Sequence, residues 1–492
     1  MRVLLPIGAV LLVIAAGVIT FFLVSQGLPA GSVDDGTGAG SGAVTLEYTT
    51  EQGQGAARGV VNSPLRITLR VPYKGIEDDM INTASVQLFD EAGKPAVYGD
   101  KPAEPFVFRA TYELGVWAYD TSVPSVPGKY SGRVEISYRA SGGPAPIPQS
   151  YDFGDSVLEA VPESGGAVTS GYVFTQDSNL WILSTDTTKQ RRLTFFPVDS
   201  EYANNATWSP DGKLIAFAQS QATDPTQLPT SDIWVINGDG TGAKMVVQHQ
   251  ADESLYDPTF SADGRYLYFT AEKLDMASTN YDANGAPIGL RGIDRYELGT
   301  GERTHWKDNS HSPVEGGADG AILYLGSTAE GSADGTTGAG AGVKLIREKP
   351  DGTLSQVLVD SSTYSAFYGP ASSPDGSKVA FAAIQAPPVM PTPVGGGVDL
   401  LGWLTFQPEV ASAHGLPWDL YMVPGNGGGK AVRLTNMSED QPHPVWLDNS
   451  TIAFMGVSGL YKLELGADGE PLARPKKIHE GAPHGGLTWH GP

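Results

Sequence analysis

Carboxylates and histidines recur near one position of a repeated sequence line, where they could bind a cation or a basic partner. Glu201, Glu253 and Glu439 each stand seven residues before the residue that opens such a line. The candidate binding rim comprises Glu201, Glu253, Asp257, His311, Glu439, His443 and His484. Hard cations take several oxygen ligands, so these carboxylates suit calcium, and a solvated rim without a ligand is the alternative. The histidines lack the short spacing of a zinc site.

A second candidate surface is apolar. The long predicted loop Ile384–Pro417 contains four closely spaced prolines followed by an apolar run. Its candidate partner-contact residues are Leu400, Leu401, Trp403 and Phe406. An apolar patch on a loop is typical of a partner contact, a membrane-facing element or a lid. Packing of the loop on its own domain is the alternative.

The familiar catalytic motifs are absent. The chain has no cysteine, which excludes disulfides, cysteine nucleophiles and thiolate metal sites. It also contains no nucleophile elbow, phosphate loop or dinucleotide fingerprint. The segment Tyr281–Gly285 is similar to the start of a calcium loop but lacks the closing glutamate, so we interpret it as a turn. No catalytic residue, metal ligand or cofactor is therefore predicted, and calcium at the rim stays open as an alternative.

Internal repeats dominate the C-terminal two thirds of the chain. The clearest lines are Trp208–Phe217, Phe260–Phe269 and Ser372–Phe381, with weaker copies at Gly316–Tyr324 and Trp446–Phe454. In each strong line an Asp-Gly pair favours a hairpin turn, because glycine adopts positive φ, and the apolar run after it predicts a buried strand. A second alternating run follows, as in Asp232–Ile236. One four-stranded unit cannot cover both of its faces, so the pattern predicts units stacked radially.

The two ends of the repeat region complement one another. Gly171–Phe174 matches the buried strand of a first unit that has no Trp-Ser-Pro-Asp-Gly line of its own. Near the C-terminus, Thr488 and Trp489 align with Thr207 and Trp208. We therefore predict that the C-terminal strand completes the first unit and that six units close into a ring without an exposed edge. Seven units are the alternative.

These lines resemble the WD-like repeats of the TolB β-propeller family. The best match is Trp208–Phe217 followed by Asp232–Thr241, and the resemblance covers about residues 170–492. Gly316 departs from the pattern, since it stands where tryptophan is usual. The resemblance implies a propeller whose motif residues are structural, so none of them is assigned a catalytic role.

The residues before the repeats predict a β-sandwich at 44–163. Its predicted strands are Val44–Tyr48, Leu65–Val71, Ala84–Phe89, Phe106–Tyr112, Val116–Tyr119, Tyr130–Tyr138 and Tyr151–Leu158. Leu65, Ile67 and Leu69 alternate with polar residues, as in a half-buried strand. The segment resembles bacterial immunoglobulin-like modules. No constellation of chemically active residues stands out in it, so we predict a spacer or docking module.

The N-terminus predicts membrane attachment. Val3–Val24 is apolar and uncharged, and as a helix it would span roughly 33 Å, enough for a hydrocarbon core of about 30 Å. Arg2 precedes the run and two aspartates follow it, which favours a cytoplasmic N-terminus. We predict a transmembrane anchor at 1–26, with a cleaved signal peptide as the alternative. Residues 27–43 are rich in Gly, Ser and Ala and predict a flexible linker.

The long insertions predict where binding occurs. Each is expected between the second and third strands of a unit, and together they are Gln219–Ser231, Glu272–Gly292, Gly326–Gly342 and Ile384–Pro417. In a propeller these loops share one face with the links that enter each unit, whereas the Asp-Gly turns lie on the other face. Long loops on a rigid scaffold are a common location for binding sites.

The charge excludes one class of partner. The chain carries 32 Lys and Arg against 55 Asp and Glu, a net charge of −23, so it repels phosphate backbones and nucleic-acid binding is not expected.

The predicted fold is all-β: a six-bladed β-propeller at 164–492, an N-terminal β-sandwich and one N-terminal transmembrane helix.

The predicted function is binding. We expect a single-pass protein of the cell membrane, with a cytoplasmic N-terminus and its bulk extracellular or periplasmic, that binds a protein, peptide or envelope polymer. Two alternatives stay open. One is a hydrolase-type enzyme that uses carboxylates on the loop-bearing face, and the other is an accessory subunit of a membrane complex.

Overall fold

The computed structural model shows an all-β chain. It describes residues 44–54, 58–71, 80–111, 115–139, 148–164, 166–196, 201–221, 230–273, 290–327, 343–360, 364–385, 418–437, 442–456, 458–481 and 486–491. The described residues form strands and no helix. Among them there is therefore no helix that is long and apolar enough to cross a membrane. The predicted anchor and linker lie outside them. By their contacts, the described residues form a larger unit, 44–314 with 486–491, and a smaller unit, 315–481.

The first part of the larger unit is two sheets over one apolar core. Their strands are β1 (Thr45–Thr50), β2 (Gly53–Gln54), β3 (Arg58–Val60), β4 (Pro64–Arg70), β5 (Met80–Asp90), β6 (Val97–Tyr98), β7 (Lys101–Pro102), β8 (Phe106–Val107), β9 (Arg109–Ala110), β10 (Val116–Ser122), β11 (Gly128–Arg139) and β12 (Pro148–Val161). The five-stranded sheets have the orders β2-β1-β4-β10-β9 and β3-β12-β11-β5-β8, and β6 pairs with β7. Leu65, Ile67 and Leu69 are buried and their β4 neighbours are not, which confirms the alternation.

One predicted strand of this region is wrong. Phe106–Tyr112 is not continuous, because the chain crosses from one sheet to the other within it. β8 pairs with β5 in one sheet, and β9 pairs with β10 in the other. Phe108 lies between them with its side chain buried in the shared core. The crossing, which depends on how two sheets face each other, leaves no mark in the local apolar pattern.

Three four-stranded antiparallel sheets complete the larger unit. Their strands are β13 (Gly171–Gln176), β14 (Asn179–Ser184), β15 (Gln190–Arg192), β16 (Glu201–Trp208), β17 (Leu214–Gln221), β18 (Thr230–Asn237), β19 (Lys244–Val247), β20 (Glu253–Phe260), β21 (Tyr266–Lys273), β22 (Leu290–Glu297), β23 (Arg303–Asp308) and β36 (Leu487–His490). The orders are β15-β14-β13-β36, β16-β17-β18-β19 and β20-β21-β22-β23. The strand β24 (Ser310–Glu315) reaches the division between the units.

The smaller unit repeats this plan. Its strands are β25 (Ile322–Ser327), β26 (Val343–Glu348), β27 (Ser355–Asp360), β28 (Tyr364–Ser372), β29 (Lys378–Gln385), β30 (Asp419–Pro424), β31 (Val432–Arg433), β32 (His443–Trp446), β33 (Thr451–Gly456), β34 (Gly459–Glu464) and β35 (Lys476–Glu480). β25, β26 and β27 pair in sequence, and complete sheets have the orders β28-β29-β30-β31 and β32-β33-β34-β35. Apolar side chains of the last two sheets form one core.

The repeated Ser-x-Asp-Gly residues build the turn between the first two strands. Ser209 Oγ donates to Asp211 Oδ1 at 2.8 Å and accepts from Leu214 N at 2.9 Å, while Gly212 has φ of 66°. Hydrogen bonds from Lys213 and Ser209 lower the pKa of Asp211 to about 2. The same bonds recur at Ser261, Asp263 and Tyr266 and at Ser373, Asp375 and Lys378. The motif residues therefore have a structural role wherever these bonds are present.

A polar residue near the start of the third strand fastens the chain that follows the fourth strand. Its side-chain oxygen accepts a backbone N–H after the sheet has ended. The pairs are Asn179 with Phe196 (2.7 Å), Asp232 with His249 (2.7 Å) and Asp419 with Met437 (2.9 Å). This bond explains why an aspartate or asparagine opens these apolar runs.

The C-terminal strand completes the first four-stranded sheet, as the sequence predicts. β36 pairs antiparallel with β13, with Trp489 opposite Tyr172 and Thr488 opposite Val173. The Trp489 and Tyr172 rings lie 4.4 Å apart. In the next sheet, Trp208 of β16 holds the corresponding place against β17. Residues more than 300 positions apart in sequence therefore share one sheet.

The sandwich is docked on this first sheet through β15. Arg191, 8% exposed, donates to Glu163 through Nε and Nη2 at 3.1 Å and to Glu51 through Nη1 at 2.5 Å. The amide of Arg192 donates to the carbonyl of Asn62 at 2.9 Å. A buried fork with a carboxylate on each side fixes orientation as well as contact.

A glycine of the turn motif tests the role of the C-terminal strand. We expect Gly212→Ala to cost more stability than Gly264→Ala, although both have φ near 67° and both lose roughly 1–2 kcal/mol to the left-handed conformation. An added Cβ at Gly212 would meet His490 Nε2 of β36 at 2.0 Å, whereas at Gly264 the nearest atom is 3.9 Å away. Thermal unfolding followed by circular dichroism measures the difference, and His490→Ala should abolish it. Equal losses for the two alanines would contradict this account.

A second prediction concerns the docking of the sandwich. Arg191→Met leaves Glu51 without its cation and leaves Glu163 with Lys189 alone, 3.4 Å away. Because Arg191 is buried and the glutamates are partly exposed, we expect a loss of about 2–3 kcal/mol, below that of a fully buried pair. Arg58→Met is the matched control, because its pair with Glu159 is exposed and worth about 1 kcal/mol or less. Chemical denaturation of the two variants should show a lower midpoint for Arg191→Met alone. Similar midpoints would mean that the fork contributes little.

Candidate functional site

In the larger unit the insertions leave from one end of the sheets, the end at which the first strands begin. Glu201 pairs with Gln221, the last residue of β17, and Glu253 pairs with Lys273, the last residue of β21. Residues 222–229 and 274–289 follow those strand ends. At the opposite end, short turns join the first strands to the second. We call the end of each sheet at which its first strand begins, and from which its insertion leaves, the loop-bearing end.

The smaller unit has the same polarity. Its residues 328–342 separate β25 from β26, and residues 386–417 separate β29 from β30. Tyr364, the first residue of β28, pairs with Gln385 at the point where the longer interruption begins. The first strand therefore again begins beside the insertion.

Both predicted glutamates that the structure describes are used inside their own sheets. Glu253, 8% exposed in its side chain, receives Arg303 Nη2 at 2.6 Å and Nη1 at 2.9 Å. Burial opposes ionisation of Glu253, but the bonds from Arg303 and the Gln250 amide outweigh it and lower the pKa. Glu201 Oε2 accepts from Gln219 Nε2 at 2.7 Å. These contacts hold strand ends together and leave Glu253 little capacity for a ligand.

Asp257 has a different environment. Its Oδ1 accepts from Asn205 Nδ2, and its Oδ2 accepts from Ser312 Oγ at 2.8 Å. The three residues stand at corresponding places on β16, β20 and β24, with φ of 52°, 52° and 53°. Burial raises the pKa of Asp257, and bonds from Ser312 and Asn205 with the charge of Arg291 offset it in part. One carboxylate thus connects three first strands.

A mixed cluster of side chains surrounds this carboxylate. Arg291 Nε lies 3.2 Å from Glu272 Oε2, which also accepts from the Tyr256 hydroxyl at 2.5 Å. Burial raises the pKa of Tyr256 well above its ordinary value. His311 Nδ1 lies 3.0 Å from Ser312 Oγ, and burial together with the charge of Arg291 lowers its pKa to about 4. The cluster joins carboxylates, a guanidinium cation and an imidazole with a lowered pKa near one loop-bearing end.

Sequence reasoning found part of this cluster. Asp257 and His311 were predicted, but Arg291 and Glu272 fall within the predicted loop Glu272–Gly292. The structure extends β21 to Lys273 and β22 back to Leu290, so both residues are strand residues that face each other in register. Opposite charges at the two ends of an apparent loop are the signal that could have identified them.

The remaining predicted rim residues divide into two groups. His443 lies on β32 of the smaller unit, where its ring meets Tyr368 edge-on at 5.1 Å and burial lowers its pKa to about 4. The rim residues Glu439 and His484 lie outside the described residues, and so do the predicted partner-contact residues Leu400, Leu401, Trp403 and Phe406. Their roles stay predictions. In the part of the chain that the structure describes, no group of three or more histidine or acidic side chains has the geometry to hold a metal ion.

Comparisons with known proteins give no family for the chain. No family model matches it. No curated protein matches it either. Among solved structures, an oligogalacturonate lyase in complex with manganese is 15% identical, with a TM-score of 0.37, over 60% of this chain and 70% of the lyase.

Two archaeal structures are similar at the same level. The acylaminoacyl peptidase of Pyrococcus horikoshii is 15% identical, with a TM-score of 0.36, over 63% of this chain and 44% of the peptidase. The β-propeller domain of the Trilobed protease from Pyrococcus furiosus is 11% identical, with a TM-score of 0.32, over 71% of this chain and 92% of that domain.

The architecture is consistent with a β-propeller. It rests on successive four-stranded antiparallel sheets and on a C-terminal strand that completes the first of them. Function must be argued from the residues of this chain, because a fold is shared by unrelated activities.

The buried histidine of the cluster predicts a pH dependence of stability. The folded pKa of His311, about 4, lies below the ordinary 6.5, so the unfolded chain takes up the proton first as the pH falls. Stability is lost between those two values, by up to about 3 kcal/mol for a difference of this size. His311→Gln should remove that part of the loss in urea denaturation from about pH 8 to pH 4. Parallel stability profiles for the two proteins would contradict the assignment.

Proposed function

We propose that this chain is a membrane-anchored binding protein outside the cytoplasm, whose six-bladed β-propeller binds a protein, peptide or envelope polymer. The observation that carries the proposal is the common polarity of the insertions. In both units they leave the sheets at the loop-bearing ends, whereas the opposite ends are closed by short turns. A rigid scaffold with long loops on one side is suited to recognition.

The composition of the insertions supports a macromolecular partner. The longest one, residues 386–417, carries the apolar run that contains Leu400, Leu401, Trp403 and Phe406. Buried aromatic side chains often carry much of the binding energy of a protein contact, and apolar area that leaves water favours association. The docked sandwich suits a spacer, since Arg191 holds it to the first sheet and the predicted anchor precedes it.

The test is a capture experiment from native membranes in mild detergent, read by mass spectrometry. Full-length protein is compared with a chain that starts at Val44 and with a full-length variant whose residues 386–417 are replaced by a short Gly-Ser linker. We expect the first two to retain a stoichiometric partner and the third to lose it. The control inserts the same linker between Asp351 and Gly352, in a turn at the opposite end of a sheet, and should keep the partner.

Two outcomes would contradict the proposal. If all variants keep the partner, binding is not at the loop-bearing end. If only the chain starting at Val44 loses it, the N-terminal segment makes the contact and the protein is an accessory subunit of a membrane complex.

A further inference from the structure

Asp257 is a part-buried carboxylate that forms no ion pair with a described residue, although the charge of Arg291 acts on it from beyond ion-pair distance. Within the described residues no Lys, Arg or His nitrogen lies within ion-pair distance of it, and its partners are the neutral groups of Asn205 and Ser312. Glu253 on the same strand, in contrast, is matched by Arg303. A carboxylate removed from water is costly unless a positive charge accompanies it. Asp257 therefore has capacity for a cation that the described residues do not supply at ion-pair distance.

The nearby arginines are committed to other acids. Arg291 Nε lies 3.2 Å from Glu272 Oε2, to which the Tyr256 hydroxyl donates a hydrogen bond. Arg303 divides its guanidinium between Glu253 and Asp294, with the latter 2.7 Å from Nε. A turn of Arg303 toward Asp257 would give up its bonds to Glu253, and a turn of Arg291 would give up its ion pair with Glu272.

The free acceptors around Asp257 fit one kind of cation. Each carboxylate oxygen accepts one described bond and has a second lone pair, and Asn205 Oδ1 accepts none within the described residues. A primary ammonium carries three donors, which three such acceptors satisfy. Calcium takes 6–8 oxygen ligands, usually with several carboxylates, so one carboxylate and one amide match it poorly.

We propose that Asp257 binds a primary ammonium group of a basic partner, either a lysine side chain or a chain N-terminus. The inference rests on the proposed function and specifies the chemistry of its partner. Asp257 follows Glu253 on β20, near the loop-bearing end at which the insertions leave. The net charge of −23 supports the same partner, because complementary charge raises the rate of encounter and rejects acidic competitors.

The experiment uses the full-length protein in detergent and fluorescent hexalysine as the probe, with anisotropy at low ionic strength as the readout. Asp257→Asn keeps the shape of the side chain and should weaken hexalysine by about tenfold. Asp155→Asn removes the same charge from an exposed site of the sandwich and should change the affinity by less than about twofold.

A second variant guards against a folding defect. Asn205→Ala keeps the carboxylate but removes one acceptor, and should weaken the probe by about threefold. Thermal unfolding of both variants is measured alongside, and an affinity loss without a matching loss of folded protein supports the site.

Several results would overturn the inference. Equal effects of Asp257→Asn and Asp155→Asn would mean that only the overall charge matters. Tighter binding of hexaglutamate than of hexalysine would mean that Arg291, and not Asp257, is the binding group of the cluster. Displacement of hexalysine by micromolar calcium would mean that Asp257 belongs to a metal site. The proposed function is tested separately: if removal of residues 386–417 abolishes capture of the native partner while Asp257→Asn does not, the amine site fails and the binding function stands.

Discussion

The four-stranded sheets of this protein must be covered on both faces, and most of the structure follows from that constraint. Along β17, consecutive side chains from Ile215 to Ser220 are all buried, although neighbouring residues of a strand point to opposite faces. The same holds for β29 and β33. A sheet of this kind cannot be stable alone, because its exposed face would leave apolar area in water. Each sheet therefore depends on its neighbours, and the first depends on β36 from the end of the chain.

Residues of the repeated lines and residues that differ between repeats have separate roles. Ser209 and Asp211 close a turn, and Asp232 fastens the chain after the fourth strand, so their chemistry is used inside the sheet. At the corresponding first-strand places the side chains differ. Asn205, Asp257 and Ser312 occupy three of them with left-handed backbone, and these three side chains meet at one carboxylate. Variation at a fixed backbone position is how a repeat fold obtains a site without disturbing its scaffold.

The candidate site was predictable to the extent that it depends on local spacing. The position of Glu253 at the start of a first strand and the polarity of the insertions follow from the repeat and from strand alternation. The partners that each carboxylate binds do not follow from local spacing. Glu253 receives Arg303 from 50 residues away, whereas Asp257 receives an amide and a hydroxyl from two other sheets. The predicted rim treated its acids as equivalent, and their partners separate them.

Local patterns by themselves determined most of the strands, the Asp-Gly turns and the pairing of the C-terminal strand with the first sheet, because alternation, positive φ and the repeat are properties of short segments. Tertiary structure decided the crossing at Phe108, the docking of the sandwich through Arg191 and the lack of an ion pair at Asp257 among the described residues. These depend on which side chains from distant segments come within about 3 Å, the range in which a charge gains or loses its partner. The alternation of apolar and polar residues along a strand does not specify which distant side chains come that close.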